Sequence, residues 1–476
     1  MRVEEEYVKT GFFWLPEQDE NKIPGIITIK NGGEIELEVV GLFDSNVNKL
    51  SDLNSPKLLN RIIGLIEDDG LVTLDNCFYI KKMIPLGGIS KSKLSVERVL
   101  SGAAYDKDED VTYNSLSFTV DCLDEWVGIS GIGFERDRER NTAQVTYDLP
   151  KKIEFNLDNG MQLEIYFSYT LPGFPIIKEA GIIQKTYYKL KSETLRPLDE
   201  YTKIAHKIVS LMCFAVDAAV EMKNLKAISF EKLKEHVDGS KYPSPISVYY
   251  SNISFNENVP NKNKHQMLFC FGLIIERAEV VFNNWINSYK EISPAINLYF
   301  STKNGSEKYL DGKFLSLAQG LETYHRRKNN DTKWDANKFE LIVSEIIENC
   351  PAEYEHIEWL KGRLHHGNEI NFRKRLQLII EPFKELLGDK KVRKKLLTKI
   401  VDTRNYLTHY SEDLKDKTAT GAELWVVCQR MDVIFQLNFL NVIGFNKEEI
   451  DRVVKTSLPL KNKLNNIKYV NSSLSK

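Results

Sequence analysis

The period of the hydrophobic pattern changes once along this chain, and that change limits what the chain can fold into. Over roughly the first 190 residues apolar side chains recur at every second position, the mark of strands with one buried face. Gly25–Lys30 and Glu34–Val39 alternate on either side of Asn31-Gly32-Gly33, a turn. Ile153, Phe155 and Leu157 alternate before Asp158-Asn159-Gly160, and Leu163, Ile165 and Phe167 resume after it. Asn-Gly accepts the positive φ angles of a tight turn, so this is a hairpin. Further strands are expected near 71–80 and 115–120. Several short strands with turns between them predict a β-sandwich-like or jelly-roll-like domain.

From Leu198 onward the spacing becomes helical. Ile204, Ile208, Leu211, Ala215, Ala219 and Met222 share one face. Residues 226–260 are mixed, with Tyr242-Pro243-Ser244-Pro245 a breaker. Beyond His265 the pattern predicts helices near 265–290, 309–328, 335–349, 353–366, 370–387, 390–400, 403–412 and 420–440. The expected fold class is α+β and multidomain: a β-rich domain over 1–195, a mixed helical connection over 196–300, an all-α bundle over 301–460 and a polar tail over 461–476. A length of 476 residues suits two or three domains at about 150 each.

Charge and cysteine usage narrow the class. Lys and Arg number 65 against 67 Asp and Glu, a net charge of −2, so any nucleic-acid surface must be local. The apolar runs Ile208–Val216 and Met267–Ile275 end at Asp217 and Glu276, short of the ~20 residues of a membrane span. Arg2, Glu4, Glu5 and Glu6 are unlike a signal peptide. The six cysteines form no C-x-x-C pair. The expectation is a cytoplasmic protein with reduced thiols, no membrane contact, no metal site and no cofactor. Neither a phosphate-binding G-x-x-x-x-G-K-[ST] loop nor a G-x-S-x-G elbow is present. The glycine-rich Gly128–Gly133 reads as a loop.

The chemistry converges on Arg404-Asn405-Tyr406-Leu407-Thr408-His409. A guanidinium binds non-bridging phosphate oxygens and offsets charge that develops there. An imidazole with a pKa near 6.5 takes a proton from a 2′-hydroxyl or gives one to a leaving oxygen. RNA brings its own nucleophile in that 2′-hydroxyl, so the reaction requires no metal in principle. Asn405 is placed to orient the phosphate or the histidine. Arg404 and His409 project about 140° apart on a regular helix. A helix start at Asp402 or Thr403 would let them share a phosphate, and its free N–H groups would help. From spacing alone R-x4-H carries little information, and a surface arginine beside a half-buried histidine is the bland alternative. Two observations favour the sharper reading. No other histidine has an arginine four to six residues before it, and Lys361–Tyr410 holds thirteen Lys/Arg against five Asp/Glu. Lys394 and Lys395 belong to that basic run and are candidate RNA contacts. Glu322, His325 and Arg326 share a helix face at i, i+3 and i+4, with Arg327 beside them. An ion-pair network is the first reading of that cluster and an RNA groove through His325, Arg326 and Arg327 the second.

The Arg404–His409 motif in an all-helical second half resembles the HEPN superfamily of ribonucleases. With Phe314–Arg327, Gly11–Pro16, Ile23–Gly25, Leu71–Phe78 and Leu123–Trp126, the chain is similar to the ApeA-like anti-phage defence proteins over most of its length. The resemblance implies metal-independent endoribonuclease activity that leaves a 2′,3′-cyclic phosphate and serves abortive infection. It matches Arg404 and His409 to the catalytic pair and Asn405 to the polar residue after the arginine. It also implies a homodimer or higher homo-oligomer, with two motifs lining one groove. RNA, with tRNA one candidate, is the implied substrate, and a phage-derived trigger a further partner. The β domain is then a sensor or a restraint. The alternative is a non-catalytic sensor or adaptor with a ligand-binding β domain and a helical oligomerisation module. That alternative expects Arg404 to be buried and paired to a carboxylate.

Overall fold

The computed structural model describes residues 1–473 apart from 44–57, 86, 175–176, 237, 252–254, 304, 306 and 351–352. It divides into two compact units, Met1–Ile286 and Asn287–Lys476. The first is β-rich and the second helical, the α+β layout implied by the change of period.

The sandwich-like β domain takes the form of a barrel continuous with an open sheet. Strands β1 (Tyr7–Trp14), β2 (Ile23–Ile29), β3 (Ile35–Val39), β4 (Leu58–Ile66), β5 (Gly70–Met83) and β6 (Lys91–Ser101) pair in the order β5-β4-β1-β2-β3-β6, and β6 pairs back onto β5. Alternation directs Phe13, Ile27, Leu37, Ile62, Leu74, Leu94 and Val96 into one interior cluster. Gly11 and Gly25 face each other across β1 and β2. A Cβ on either would press on a neighbouring carbonyl, that of Leu65 for Gly11 and of Glu38 for Gly25. Glycine at both places lets the strands approach closely enough for the sheet to close.

The open part of the sheet comprises β7 (Thr112–Val120), β10 (Ile153–Asn156), β11 (Gln162–Thr170), β12 (Ile183–Pro197), β13 (Met222–Ile228) and β16 (Ile246–Tyr250). Outside it stand two hairpins, β8 (Ile132–Asp137) with β9 (Thr142–Tyr147) and β14 (Leu233–Glu235) with β15 (Lys241–Pro243). The order β10-β11-β12-β7-β13-β16-β6 joins the open sheet to the barrel through β6. The hairpin expected at Asn159-Gly160 is present, with Asn156 opposite Gln162 and Gly160 at φ 81°. Two strands from 196–300, read from the sequence as a connection, lie between β7 and β6 in this sheet. Helices α1 (Leu123–Val127) and α2 (Leu198–Val216) bury their apolar faces in this unit, and Phe214 of α2 stacks on Trp285 with ring centres 5.6 Å apart.

Helix α3 (Ala278–Ser301) starts later than the 265 expected, because short 3-10 turns occupy 264–277. The second unit continues with α4 (Leu310–Lys328), α5 (Ala336–Glu348), α6 (Tyr354–His365), α7 (Phe372–Ile380), α8 (Lys390–His409), α9 (Gly421–Val442), α10 (Lys447–Thr456) and α11 (Leu458–Ser473). α9 is the spine: Leu424, Val427, Met431, Ile434, Phe435 and Leu440 are all buried. Gly320 of α4 faces it, and a Cβ there would come within 2.8 Å of the Phe435 ring. α5 and α6 pack on each other, and α5 buries none of its residues. The stretch read as a polar tail, 461–476, continues α11 as helix to Ser473, and its Lys463 stands 2.7 Å from Asp432.

Candidate active site on the helical unit

Both motif residues sit on α8, whose start is set by Asp389: its carboxylate accepts the Val392 N–H at 2.8 Å. The expected second helix start at Asp402 and Thr403 is corrected. Leu396, Leu397, Ile400 and Thr403 keep an inward stripe at helical spacing, so one helix runs from Lys390 to His409. Instead of capping, Thr403 is buried and its Oγ1 accepts the Ala419 N–H at 3.0 Å. Arg404 therefore lies near the negative end of the dipole of α8, and the N-terminus of its own helix is too far away to assist anion binding there. The regular helix also keeps Arg404 and His409 about 140° apart.

Arg404 faces α4 and α7. Its Nη2 donates to Glu322 Oε2 at 3.3 Å and its Nη1 to Asn405 Oδ1 at 3.3 Å, while Cζ stands 5.6 Å from the centre of the Phe372 ring. Its side chain keeps 35% exposure. It is thus paired to a carboxylate, as the adaptor alternative expects, yet not buried, as that alternative requires. His409 is exposed in the last turn of α8, next to Tyr410, which ends the helix in the left-handed region at φ 51°. Among the described residues no hydrogen bond joins Arg404 to His409.

The basic run resolves into two environments. Lys390, Lys391, Lys394 and Lys395 are exposed on α8 and form no ion pair among the described residues. Lys391 stands about five turns before His409 and so shares its face, with Lys395 about 40° away. In contrast, Arg375 is buried on the same stripe of α7 as Phe372, Leu376 and Ile379. Arg373, between them, donates to Thr398 Oγ1 at 2.9 Å.

The Glu322 cluster forms the ion-pair network anticipated for it. Glu322 Oε1 accepts from Arg326 Nη2 at 3.1 Å, and Arg326 also pairs with Glu369. Hydrogen bonding from Arg326 holds the Glu369 carboxyl below its usual range against the opposite pull of burial. His325 is corrected as a direct RNA contact: it is 1% exposed, which leaves its ring no surface to present to RNA. Arg375 Nη1 lies 3.3 Å from its Nδ1. Arginine only donates, so Nδ1 accepts and the proton resides on Nε2, 3.5 Å from the Asp331 carboxylate. Burial, then the charge of Arg375, lowers the pKa from 6.5 and keeps the ring neutral. Arg326 and Arg327 are exposed.

Phe372, Glu369 and Arg375 complete the surroundings; from the sequence Arg375 counted within the basic run with its burial unseen, and the other two were passed over. A usable signal existed for Arg375, which falls at i+3 from Phe372 on an apolar stripe. Glu369 has local partners in His366 and Arg375, but its pairing with Arg326 of α4 spans 43 residues and left no local signal. Among the described residues no cluster of His, Cys, Asp and Glu has metal-holding geometry, and no helix is long and apolar enough to cross a membrane.

A second concave surface lies on the barrel. Leu65, Phe12 and Pro24 stand opposite one another across β4, β1 and β2, with Val40 next in the row through its N–H to the Pro24 carbonyl. They line a groove of about 920 Å³ with Lys81, Lys91 and Lys93 on its rim. Phe12 is 52% exposed there.

Two family models match the chain. Residues 8–285, more than half of its length, match the model described as ApeA N-terminal domain 1, and residues 315–449 match the Apea-like HEPN model. No curated protein and no solved structure gives a significant match.

Proposed function

The chain belongs to the ApeA-like family and carries a C-terminal HEPN domain, and from that premise we propose that it is a metal-independent endoribonuclease acting in anti-phage abortive infection. The observation that carries the reading is the character of α8. One helix holds a fixed but partly exposed arginine, an exposed histidine and a lysine face that forms no ion pair among the described residues. Lysines in its first turn oppose the helix dipole, so folding alone gives little reason for them. A polyanion does.

In the proposed reaction His409 accepts the proton of an RNA 2′-hydroxyl. O2′ attacks the adjacent phosphorus, the P–O5′ bond breaks, and the 5′ oxygen takes a proton from a second acid. The products are a 2′,3′-cyclic phosphate and a 5′-hydroxyl. Arg404 neutralises charge on the non-bridging oxygens, and Asn405 steadies its guanidinium. The 140° between the two side chains supports a composite site in a homodimer, where His409 of a second copy is the second acid. Lys394, Lys395, Arg326 and Arg327 guide the RNA strand, tRNA among the candidates. A cytoplasmic location suits such a substrate. The barrel unit senses a phage-derived trigger or restrains the nuclease.

The test is RNA cleavage in cells and with purified protein in EDTA, comparing wild type with Arg404→Ala and His409→Ala before and after infection. Cleavage by wild type alone, persisting in EDTA, is expected. Intact RNA with equal protection by all three proteins overturns the reading. The barrel groove favours a second one, a ligand-binding adaptor, which expects Arg404→Ala to change assembly and leave RNA untouched.

A further inference from the structure

Glu322 lies on α4, 82 residues before Arg404, and its two carboxylate oxygens are divided between two arginines. Oε2 accepts from Arg404 Nη2 at 3.3 Å and Oε1 from Arg326 Nη2 at 3.1 Å. Arg326 is held in turn by Glu369. The glutamate side chain is only 17% exposed, so the network fixes where that carboxylate sits. Arg404 is thereby gripped at Nη2 by Glu322, at Nη1 by Asn405 and on its flat face by Phe372. Its Nε has no partner among the described residues. A guanidinium carries five donors in a rigid fork, so these contacts leave donors over for a phosphate.

We infer that Glu322 is a positioning residue for Arg404: it holds the guanidinium in the orientation that receives the scissile phosphate and does not itself touch RNA. The inference rests on the nuclease reading and adds the residue on which its arginine depends. A free arginine side chain has many rotamers, and the freedom lost on meeting a phosphate opposes binding of the transition state. Glu322 removes that freedom beforehand. It does so with a negative charge close to where a polyanion must dock, which disfavours RNA in the ground state. The two effects have opposite signs, and that makes them separable.

The experiment is single-turnover cleavage and equilibrium RNA binding for wild type, Glu322→Gln, Glu322→Asp, Arg404→Ala and Glu322→Gln/Arg404→Ala, each checked by thermal melting. Glu322→Gln should cleave at least ten-fold more slowly while binding RNA as tightly as wild type or more tightly. Glu322→Asp keeps the charge and should recover part of the rate. In the Arg404→Ala background Glu322→Gln should cost nothing further, since the group it positions is gone. A folded Glu322→Gln that cleaves at the wild-type rate while Arg404→Ala is inactive overturns the inference and leaves the nuclease reading standing. Losses that multiply in the double variant, or a rate loss matched by weaker binding, also overturn it. Wild-type chain that cleaves no RNA, or cleavage untouched by Arg404→Ala, removes the nuclease reading and this inference with it.

Discussion

Arg2 in the β unit and Arg404 in the helical unit are both paired to a carboxylate, and the pairs are finished differently. Arg2 is 5% exposed; its Nε and Nη2 meet Asp121, and the carbonyls of Asn256, Glu257 and Asn258 take further donors. Arg404 has one partner on each Nη at 3.3 Å and stays partly open. A saturated guanidinium has nothing left to offer a ligand, whereas an unsaturated one does. Exposure and unused donors, more than the presence of a salt bridge, separate a structural arginine from a candidate functional one.

The comparison is best broken by exchanging what each arginine is asked to do. Arg2→Ala leaves Asp121 buried without its main counter-charge and should cost about 3–5 kcal/mol of stability, read by urea denaturation of the full chain. Arg404→Ala should leave the denaturation midpoint almost unmoved, because partly exposed ion pairs contribute about 1 kcal/mol or less. The same change should slow RNA cleavage by about 10²-fold or more. A large stability loss at Arg404 with unchanged cleavage would reverse the contrast.

Two smaller effects sharpen it. The folded His325 has a lowered pKa, so the unfolded chain takes up a proton at higher pH than the folded one. Its contribution is complete above about 6.5 and is lost as pH falls below that value toward the folded pKa. Melting of the helical unit followed from pH 8 to 5 should show this decline. His325→Gln, which still accepts from Arg375, should flatten it. The smallest effect is expected from Lys394→Gln with Lys395→Gln. RNA affinity should weaken modestly, and the slope of log affinity against log salt should fall by about 0.7 for each phosphate contact removed.

Much of this was legible in the sequence, and the losses have physical causes. Period alone located α4, α5, α6 and α9 within two residues at each end. Asn159-Gly160 declared its hairpin through the positive φ it needs. The supposed break at Asp402-Thr403 misled because good capping residues are also tolerated inside a helix when a tertiary partner, here the Ala419 N–H, engages the hydroxyl. The depth of His325 and the pairing of Glu369 with Arg326 depend on segments distant in sequence, so local spacing held no record of them. Glu322 was visible as part of a charged face, but its hold on Arg404 was not.

The two inserted strands of the β unit have a consequence for how that unit comes apart. β13 and β16 are the strands that tie β7 to β6, and β6 carries β5 along one edge and β3 followed by β16 along the other. Sliding β6 by one residue would turn side chains over in the barrel and in the open sheet together. The two parts therefore form one cooperative foldon, and amide exchange through β6 should report a single opening event. A fragment cut at 195 lacks the keystone strands. It leaves β7 with an unpaired edge and β6 bare from Arg98 to Ser101, the kind of edge on which chains associate and precipitate.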